Sequence, residues 1–418
     1  MSKRLHIAHY TNTYHPVISG VVRSVSTFRK ALTDLGHTVF IFAQQSSDYE
    51  DKEPFIFRYP SVELPLTSGF PITIPISPFI DKLLPYLKLD VIHSHHPFLL
   101  GQTAVKKAAE LGLPLVFTFH TRYRDYSHYV SLSQEFVKEA ISRWLGEYIQ
   151  QCHHLVVPSE SIQQMVLEDY GITDRISVVP TGIDLTPYQK IDRLAARREH
   201  NWGDEMVILS IGRLAKEKNW ETLLAGVAAA IKGRTGIRLI IIGDGDDREN
   251  LEIYAGDLGI GEQVEFIGHV PFEDVPAYLC AADLFCFAST TETQGLVTME
   301  ALAAKLPVVA VDASGTRDVI ENDQDGFLTL NDPDALGRAI GRMLSDADLR
   351  ERFRAAAWRK AQTFEAKLQA QKLVAVYEQA IEDYRAGRHV VVDKQKAAFN
   401  LISEEQWTRL LNSDSSTR

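Results

Sequence analysis

Two successive series of short apolar runs, each run followed by an amphipathic stretch, occupy most of the 418-residue chain. Runs too short to be buried helices, alternating with stretches of helical spacing, build βαβ units and hence parallel sheets rather than a sandwich or a bundle. Strand candidates in the first series are residues 5–9, 38–42, 91–94, 115–119 and 155–158; in the second they are 207–211, 239–242, 264–267, 284–287, 308–311 and 326–330. The expected class is α/β, with two doubly wound, Rossmann-like domains facing across a cleft. Open sheets of this kind place ligands at the carboxyl ends of their strands.

The boundary is expected near residue 185, where the stretch 185–202, carrying Arg193, Arg197, Arg198 and Glu199, reads as a polar crossover. The expected organisation is a domain over 1–185, a second over 186–363, a crossover helix over 364–387 and a polar tail over 388–418. In the crossover helix Leu368, Leu373, Val376, Tyr377, Ala380, Ile381 and Tyr384 recur at the spacing of one buried stripe.

Charge is divided unevenly between the halves. The net charge is −11, with 17 Lys and Arg against 18 Asp and Glu in residues 1–190, and 27 against 37 in the rest. An acidic chain without a basic stripe argues against a nucleic-acid partner. The near-neutral first part also carries eleven of the fourteen histidines, which is compatible with contact to an anionic surface. Three scattered cysteines, Cys152, Cys280 and Cys286, are too few for a disulfide framework or a zinc site, so a reducing compartment and no structural metal are expected. The first residues run directly into a strand candidate, and no stretch reaches the roughly 18 apolar residues of a spanning helix. A cytoplasmic location is the expectation.

Chemistry concentrates after the strands of the second series. Glu292-Thr-Gln-Gly295-Leu296-Val297-Thr-Met-Glu300 follows one of them, and Gly295 would open a helix whose first amides and positive dipole end suit phosphate. Glu292 and Glu300 could each take vicinal sugar hydroxyls, or merely cap and salt-bridge the helix. Gly212-Arg213-Leu-Ala-Lys216-Glu217-Lys218 follows another strand. Arg213 as a fork and Lys218 as a mobile point charge could hold a diphosphate, or form a solvated turn. Gly243-Asp244-Gly245 lacks the third glycine of a dinucleotide fingerprint, which counts against a nicotinamide dehydrogenase.

With these motifs in order, the chain resembles the retaining glycosyltransferases of the GT-B fold, in the glycosyltransferase 4 family. The resemblance runs from Tyr10 to about Tyr384. Glu292 to Glu300 matches the family's Glu-x7-Glu signature, and Gly212-Arg213 through Lys218 its donor diphosphate motif. Val179-Pro180-Thr181-Gly182-Ile183-Asp184, the Gly243–Gly245 loop and Phe266-Ile267-Gly268-His269 stand where the family has further landmarks. The resemblance implies a donor site of Gly20, Val21, Gly212, Arg213, Lys218, Gly243, Gly245, Ile267, His269, Gly295, Leu296, Val297 and Glu300, with the first domain binding the acceptor. It also implies catalytic roles for His120, Glu292, Arg213 and Lys218. Read from the residues alone, Gly20 could serve only a tight turn, and His120 at a strand end could be structural.

The implied reaction keeps the anomeric stereochemistry, uses a nucleotide sugar as co-substrate, with uridine diphosphate glucose expected, and needs neither cofactor nor metal. The stretch from His120 through Tyr123 and Tyr126 to Tyr129, and Val21-Val22-Arg23, look like those of bacterial diacylglycerol glucosyltransferases. That resemblance implies a lipid hydroxyl acceptor at the inner face of a membrane. A soluble sugar or polyol acceptor, and a sugar-nucleotide binder or epimerase, stand as alternatives. Trp144, in the amphipathic stretch 136–145, suits an interfacial helix, although Glu135, Glu139 and Glu147 suit an ordinary buried stripe equally well. The apolar stretch 64–80 reads either as a lipid-facing lip or as a packed connection.

Overall fold

A computed structural model of the protein describes residues 3–46, 49–62, 72–123 and 134–388. The chain divides into two compact units, one of residues 1–158, 163–179 and 369–418, the other of residues 159–162 and 180–368.

In the first unit seven strands form one sheet, in the spatial order Ile56–Tyr59, Thr38–Gln44, His6–Thr11, Val91–Ser94, Leu115–Thr118, His154–Val157 and Ile176–Val178. Every pairing is parallel. Strands covered on both faces read as continuous apolar runs, and Thr38–Gln44 is buried at every residue. The two outer strands were not among the sequence candidates. Ile56–Tyr59 carries Arg58 and lies at an edge, and Ile176–Val178 has three half-buried residues, so neither shows the apolar run of a central strand. The long helix Ala366–Arg385 joins this unit from Gln369 onward, burying Ala370, Leu373, Val376, Tyr377 and Ala380 along one stripe.

The second unit has six parallel strands, ordered Val264–Gly268, Ile237–Ile242, Met206–Ile211, Leu284–Phe287, Val308–Val311 and Gly326–Thr329. Successive strand residues point to opposite faces, and the core follows this alternation. Val207, Leu209, Ile240 and Ile242 pack with Ala301, Leu302 and Phe364. Ile208, Leu239 and Ile241 pack with Leu223, Leu224, Leu336 and Phe353. In each sheet the chain's first strand lies between its second and its fourth, so the order of winding reverses beside that first strand, the place where such sheets leave a crevice.

The stretch 185–202, read as a polar crossover, lies within the second unit. It folds into the helices Thr186–Lys190 and Arg193–Glu199, burying Tyr188, Ala196 and Trp202. Its arginines are polar in sequence but satisfied in place: Arg193 and Arg197 reach the Asp283 carboxylate at 2.5 and 3.1 Å, and Arg197 also donates to the Gly203 and Glu205 carbonyls. Asp283 further accepts from the Val207 amide at 2.9 Å.

Helices Trp220–Ile231 and Pro333–Ser345 cover one face and meet through glycines. A Cβ on Gly337 would stand 2.8 Å from the Gly226 carbonyl and 3.0 Å from the Ala229 methyl. Gly337→Val should therefore force these helices apart and destabilise the protein by about 2–3 kcal/mol. Denaturant unfolding checks this, and an unchanged midpoint would contradict the close packing.

Candidate functional site

In the second unit the loops at the carboxyl ends of the two strands flanking the reversal carry the charged groups. After Met206–Ile211 come Gly212, Arg213 and Lys218; after Leu284–Phe287 comes Glu292. Lys218 Nζ donates to Glu292 Oε1 at 2.6 Å, and the Ser289 hydroxyl donates to the same oxygen at 2.8 Å. Arg213 pairs with Glu217 one turn on, with about half of its side chain exposed. Its carbonyl accepts from the Trp220 indole at 2.8 Å, which anchors the loop while leaving the guanidinium at the surface. Two cations and two carboxylates thus stand together.

The helix Leu296–Ala303 opens directly after Gly295, which has φ +66°. The amides of Leu296 and Val297 belong to its first turn, where backbone donors lack partners within the helix. Glu300 is buried one turn further in, and the Tyr188 hydroxyl donates to it at 3.4 Å.

Gly243 holds the neighbouring loop close. Its φ is +140°, its amide donates to the Gly268 carbonyl at 2.9 Å, and a Cβ there would overlap the Gly212 carbonyl. Gly245 likewise leaves no room between itself and the Leu214 carbonyl. Ile267 is half-buried and His269 exposed at the end of the adjoining strand.

Sequence reasoning missed several residues that shape this loop cluster. Gly315, at φ +78°, lies against Glu292 and Gln294, where a Cβ would come within 2.8 Å of the Glu292 carbonyl oxygen. The Gln294 amide exchanges two hydrogen bonds of 2.9 Å with the backbone of Thr181, tying the carboxylate loop to the Pro180–Gly182 turn. Their only signal was position after a strand.

In the first unit Gly20 and Val21 form the first turn of the helix Gly20–Asp34, whose Ser19 cap accepts from the Val22 amide. Gly20 is exposed and Val21 half-buried. His120, just past the strand Leu115–Thr118, is half-buried and bonds His95 Nδ1 through its Nε2 at 2.8 Å. Tyr123 sits edge-on to Phe98 and Phe119. Trp144 lies against Phe98 with ring centroids 6.1 Å apart, while Leu145, Tyr148 and Ile149 of the same helix are buried. Tyr126 lies outside the described residues, as do residues 64–71 of the stretch 64–80.

The largest omission is behind His120. His9 and His93 stand opposite each other on the two strands flanking the reversal of this sheet, and His95 follows on the second strand's loop. All three are buried. Their signal was the run His93-Ser-His95-His96 at a strand end, inside a half already rich in histidine. One ring nitrogen of each lies within 4.8 Å of the others, close enough for a metal ion. Yet every ring nitrogen of the three is already engaged in a hydrogen bond, to another histidine, to the Tyr377 hydroxyl or to the Thr118 hydroxyl, which an ion would have to displace.

Burial dominates their titration. It lowers His9 to about 3, with the Arg29 charge adding to the effect, and holds His93 and His95 well below the ordinary histidine range. Desolvation also brings His96 down to about 4 and His120 to about 3.

Comparison with known proteins agrees with this architecture. The model for Glycosyltransferase Family 4 matches residues 18–187, and that for Glycosyl transferases group 1 matches residues 192–360. The chain is 33% identical to the alpha-monoglucosyldiacylglycerol synthase of Acholeplasma laidlawii over 73% of its length and 80% of that protein's. Identity to the synthase of the same name from Streptococcus pneumoniae is 30%, over 83% and 80%. It is 31% identical to the D-inositol 3-phosphate glycosyltransferase of Nocardia farcinica, over 77% and 73%. In fold it is similar to Anabaena HepE, solved with UDP and glucose, at a TM-score of 0.70 and 19% identity over 90% of this chain and 100% of that one. Sucrose-phosphate synthase of Thermosynechococcus elongatus gives 0.73 at 21% identity, over 90% and 99%. The chain belongs to the glycosyltransferase 4 family: it is a GT-B glycosyltransferase with two Rossmann-like domains. No helix among the described residues is long and apolar enough to cross a membrane.

The buried imidazoles give stability a definite pH dependence. His9, His93, His95 and His96 stay neutral when folded but take up protons below about pH 6.5 when unfolded. Stability is therefore full above that pH and falls as pH is lowered, by roughly 1.4 kcal/mol per pH unit for each such histidine. The denaturant midpoint should drop steeply between about pH 6.5 and 5; a flat profile there would contradict the buried neutral cluster.

Proposed function

We propose that this glycosyltransferase moves glucose from uridine diphosphate glucose to the free hydroxyl of diacylglycerol at a membrane surface, with retention at the anomeric carbon. The observation that carries the donor half is the set Arg213, Lys218 and the first turn of Leu296–Ala303, gathered at the carboxyl edge of one sheet. Two cations and a helix N-terminus match a diphosphate in charge and in donors, and can do for it what a bound metal does elsewhere. The acceptor half is supported by two relatives at 30% identity or more, each named for making monoglucosyldiacylglycerol.

In the reaction the bond from the anomeric carbon to the diphosphate oxygen breaks, and the acceptor oxygen bonds to the same face of that carbon. The acceptor proton passes to the departing diphosphate. Arg213, Lys218 and the helix amides stabilise the negative charge that grows on the leaving group, a term that acts only as the bond breaks. Glu292, freed from Lys218 as the diphosphate takes the cation, orients the sugar hydroxyls. Glu300 holds the ribose of the nucleotide.

A soluble acceptor is the second reading, favoured by the inositol phosphate transferase relative. Purified protein supplied with uridine diphosphate glucose should glucosylate diacylglycerol in anionic mixed micelles and leave sugars, polyols and inositol phosphate untouched. Product only with a soluble acceptor would overturn the lipid assignment and keep the donor site. Arg213→Ala should lower kcat by roughly 10²-fold with a small change in donor KM. Glu300→Ala should instead raise donor KM by about tenfold or more. Unchanged turnover in Arg213→Ala would refute its place on the diphosphate.

A further inference from the structure

Two donors converge on a single oxygen of Glu292. Lys218 Nζ reaches Oε1 at 2.6 Å and the Ser289 hydroxyl reaches the same atom at 2.8 Å, while no donor among the described residues hydrogen-bonds Oε2. Each carboxylate oxygen has two lone pairs, so Oε2 keeps its full accepting capacity. The Glu292 side chain is 20% exposed, enough for a ligand to reach it.

The two donors differ in what they can do next. The Lys218 ammonium is charged, sits at the end of a flexible four-carbon stem and is itself partly in water, so an arriving anion can draw it away. The Ser289 hydroxyl is neutral, fully buried and a single carbon from the backbone. That backbone is held on both sides by the Lys218 loop: the Asn219 side-chain amide donates to the Ala288 carbonyl at 3.0 Å, and the Thr291 hydroxyl donates to the Glu217 carbonyl at 3.4 Å. Ser289 therefore stays in place when Lys218 leaves.

We propose that Ser289 is a positioning residue for recognition of the donor sugar: it keeps hold of Glu292 Oε1 once a diphosphate has taken Lys218, so that Oε2 accepts from one hydroxyl of that sugar. The inference rests on the function proposed above and lies wholly within the second unit. Without Ser289, the released carboxylate would regain the rotamer freedom of a glutamate at the surface, and the sugar would have to order it again on binding. The alternative is that the hydroxyl merely satisfies itself. A buried hydroxyl usually takes a backbone carbonyl for that purpose, whereas Ser289 takes a partly exposed carboxylate three residues on.

Isothermal titration of the full-length wild type and Ser289→Ala with uridine diphosphate, uridine diphosphate glucose and analogues of the latter, each lacking one sugar hydroxyl, tests this. Ser289→Ala should bind uridine diphosphate within about twofold of the wild type and uridine diphosphate glucose roughly tenfold more weakly. One analogue, missing the hydroxyl that Oε2 accepts from, should bind both proteins alike, because the variant and the missing hydroxyl remove the same interaction. In the transfer assay kcat should fall roughly tenfold at saturating donor, as expected for a sugar held slightly out of place. Ser289→Cys, whose thiol is a weak donor at the same position, should reproduce the pattern even if the alanine variant fails to fold. Equal loss of both ligands would make Ser289 a structural residue of the loop and overturn the proposal. So would unchanged affinity for uridine diphosphate glucose, or a loss that persists with every analogue. A wild type that binds no uridine nucleotide would instead refute the donor reading itself, and the inference with it.

Discussion

Parallel strand pairing is the constraint on which the rest of the structure depends. Strands that all run one way bring all their carboxyl ends to one edge, and the crossovers must begin there. In the second unit this gathers Gly212, Gly243, Gly268, Glu292 and Gly315 from five separate strands. In the first it gathers Asn12, His95 and His120. Residues far apart in sequence become neighbours without any long loop, and the reversal of strand order leaves the edge open beside the first strand of each sheet.

The charges at that edge are already paired, and the magnitudes explain why this need not oppose a donor. The Lys218–Glu292 and Arg213–Glu217 pairs keep part of their side chains in water. Exposed or half-exposed pairs are worth about 0–1 kcal/mol, whereas a hydrogen bond to a charged group contributes about 1.5–3 kcal/mol. A diphosphate can therefore take both cations at small cost. The carboxylates meanwhile keep Arg213 and Lys218 from repelling each other and hold the loops in place. Asp283 works differently. Buried among Arg193, Arg197 and the Val207 amide, it is a structural carboxylate, and removing either side would leave a charge stranded in the interior.

Central strands were legible in the sequence because burial on both faces writes itself as an uninterrupted apolar run, as in Val308–Val311. Edge strands such as Ile56–Tyr59 were not, since an arginine breaks the apolar run there: Arg58 is held by Asp51 and by the Gln44 and His15 carbonyls. The charged loops at the strand ends were legible because glycine and charge cluster directly after strands, at Gly212-Arg213 and Glu292–Gly295. The stretch 185–202 looked polar for a physical reason: Arg197 is buried and Arg193 half-buried against Asp283, and a pairing across more than eighty residues leaves no local trace. The histidine chain was hidden in the same way. His9, His93, His95 and Tyr377 come from three elements, and only the fold shows that their polar atoms meet one another instead of water.

The central claim is that Arg213, Lys218 and the first turn of Leu296–Ala303 form a diphosphate site. Calorimetric titration of the full-length protein with uridine diphosphate and uridine monophosphate tests it most directly, because the two ligands share the nucleoside and differ in one phosphate. The account predicts that the diphosphate binds at least tenfold tighter, and that Lys218→Met removes most of that difference while leaving monophosphate binding in place. Equal affinities in the wild type, or a difference that survives Lys218→Met unchanged, would contradict it.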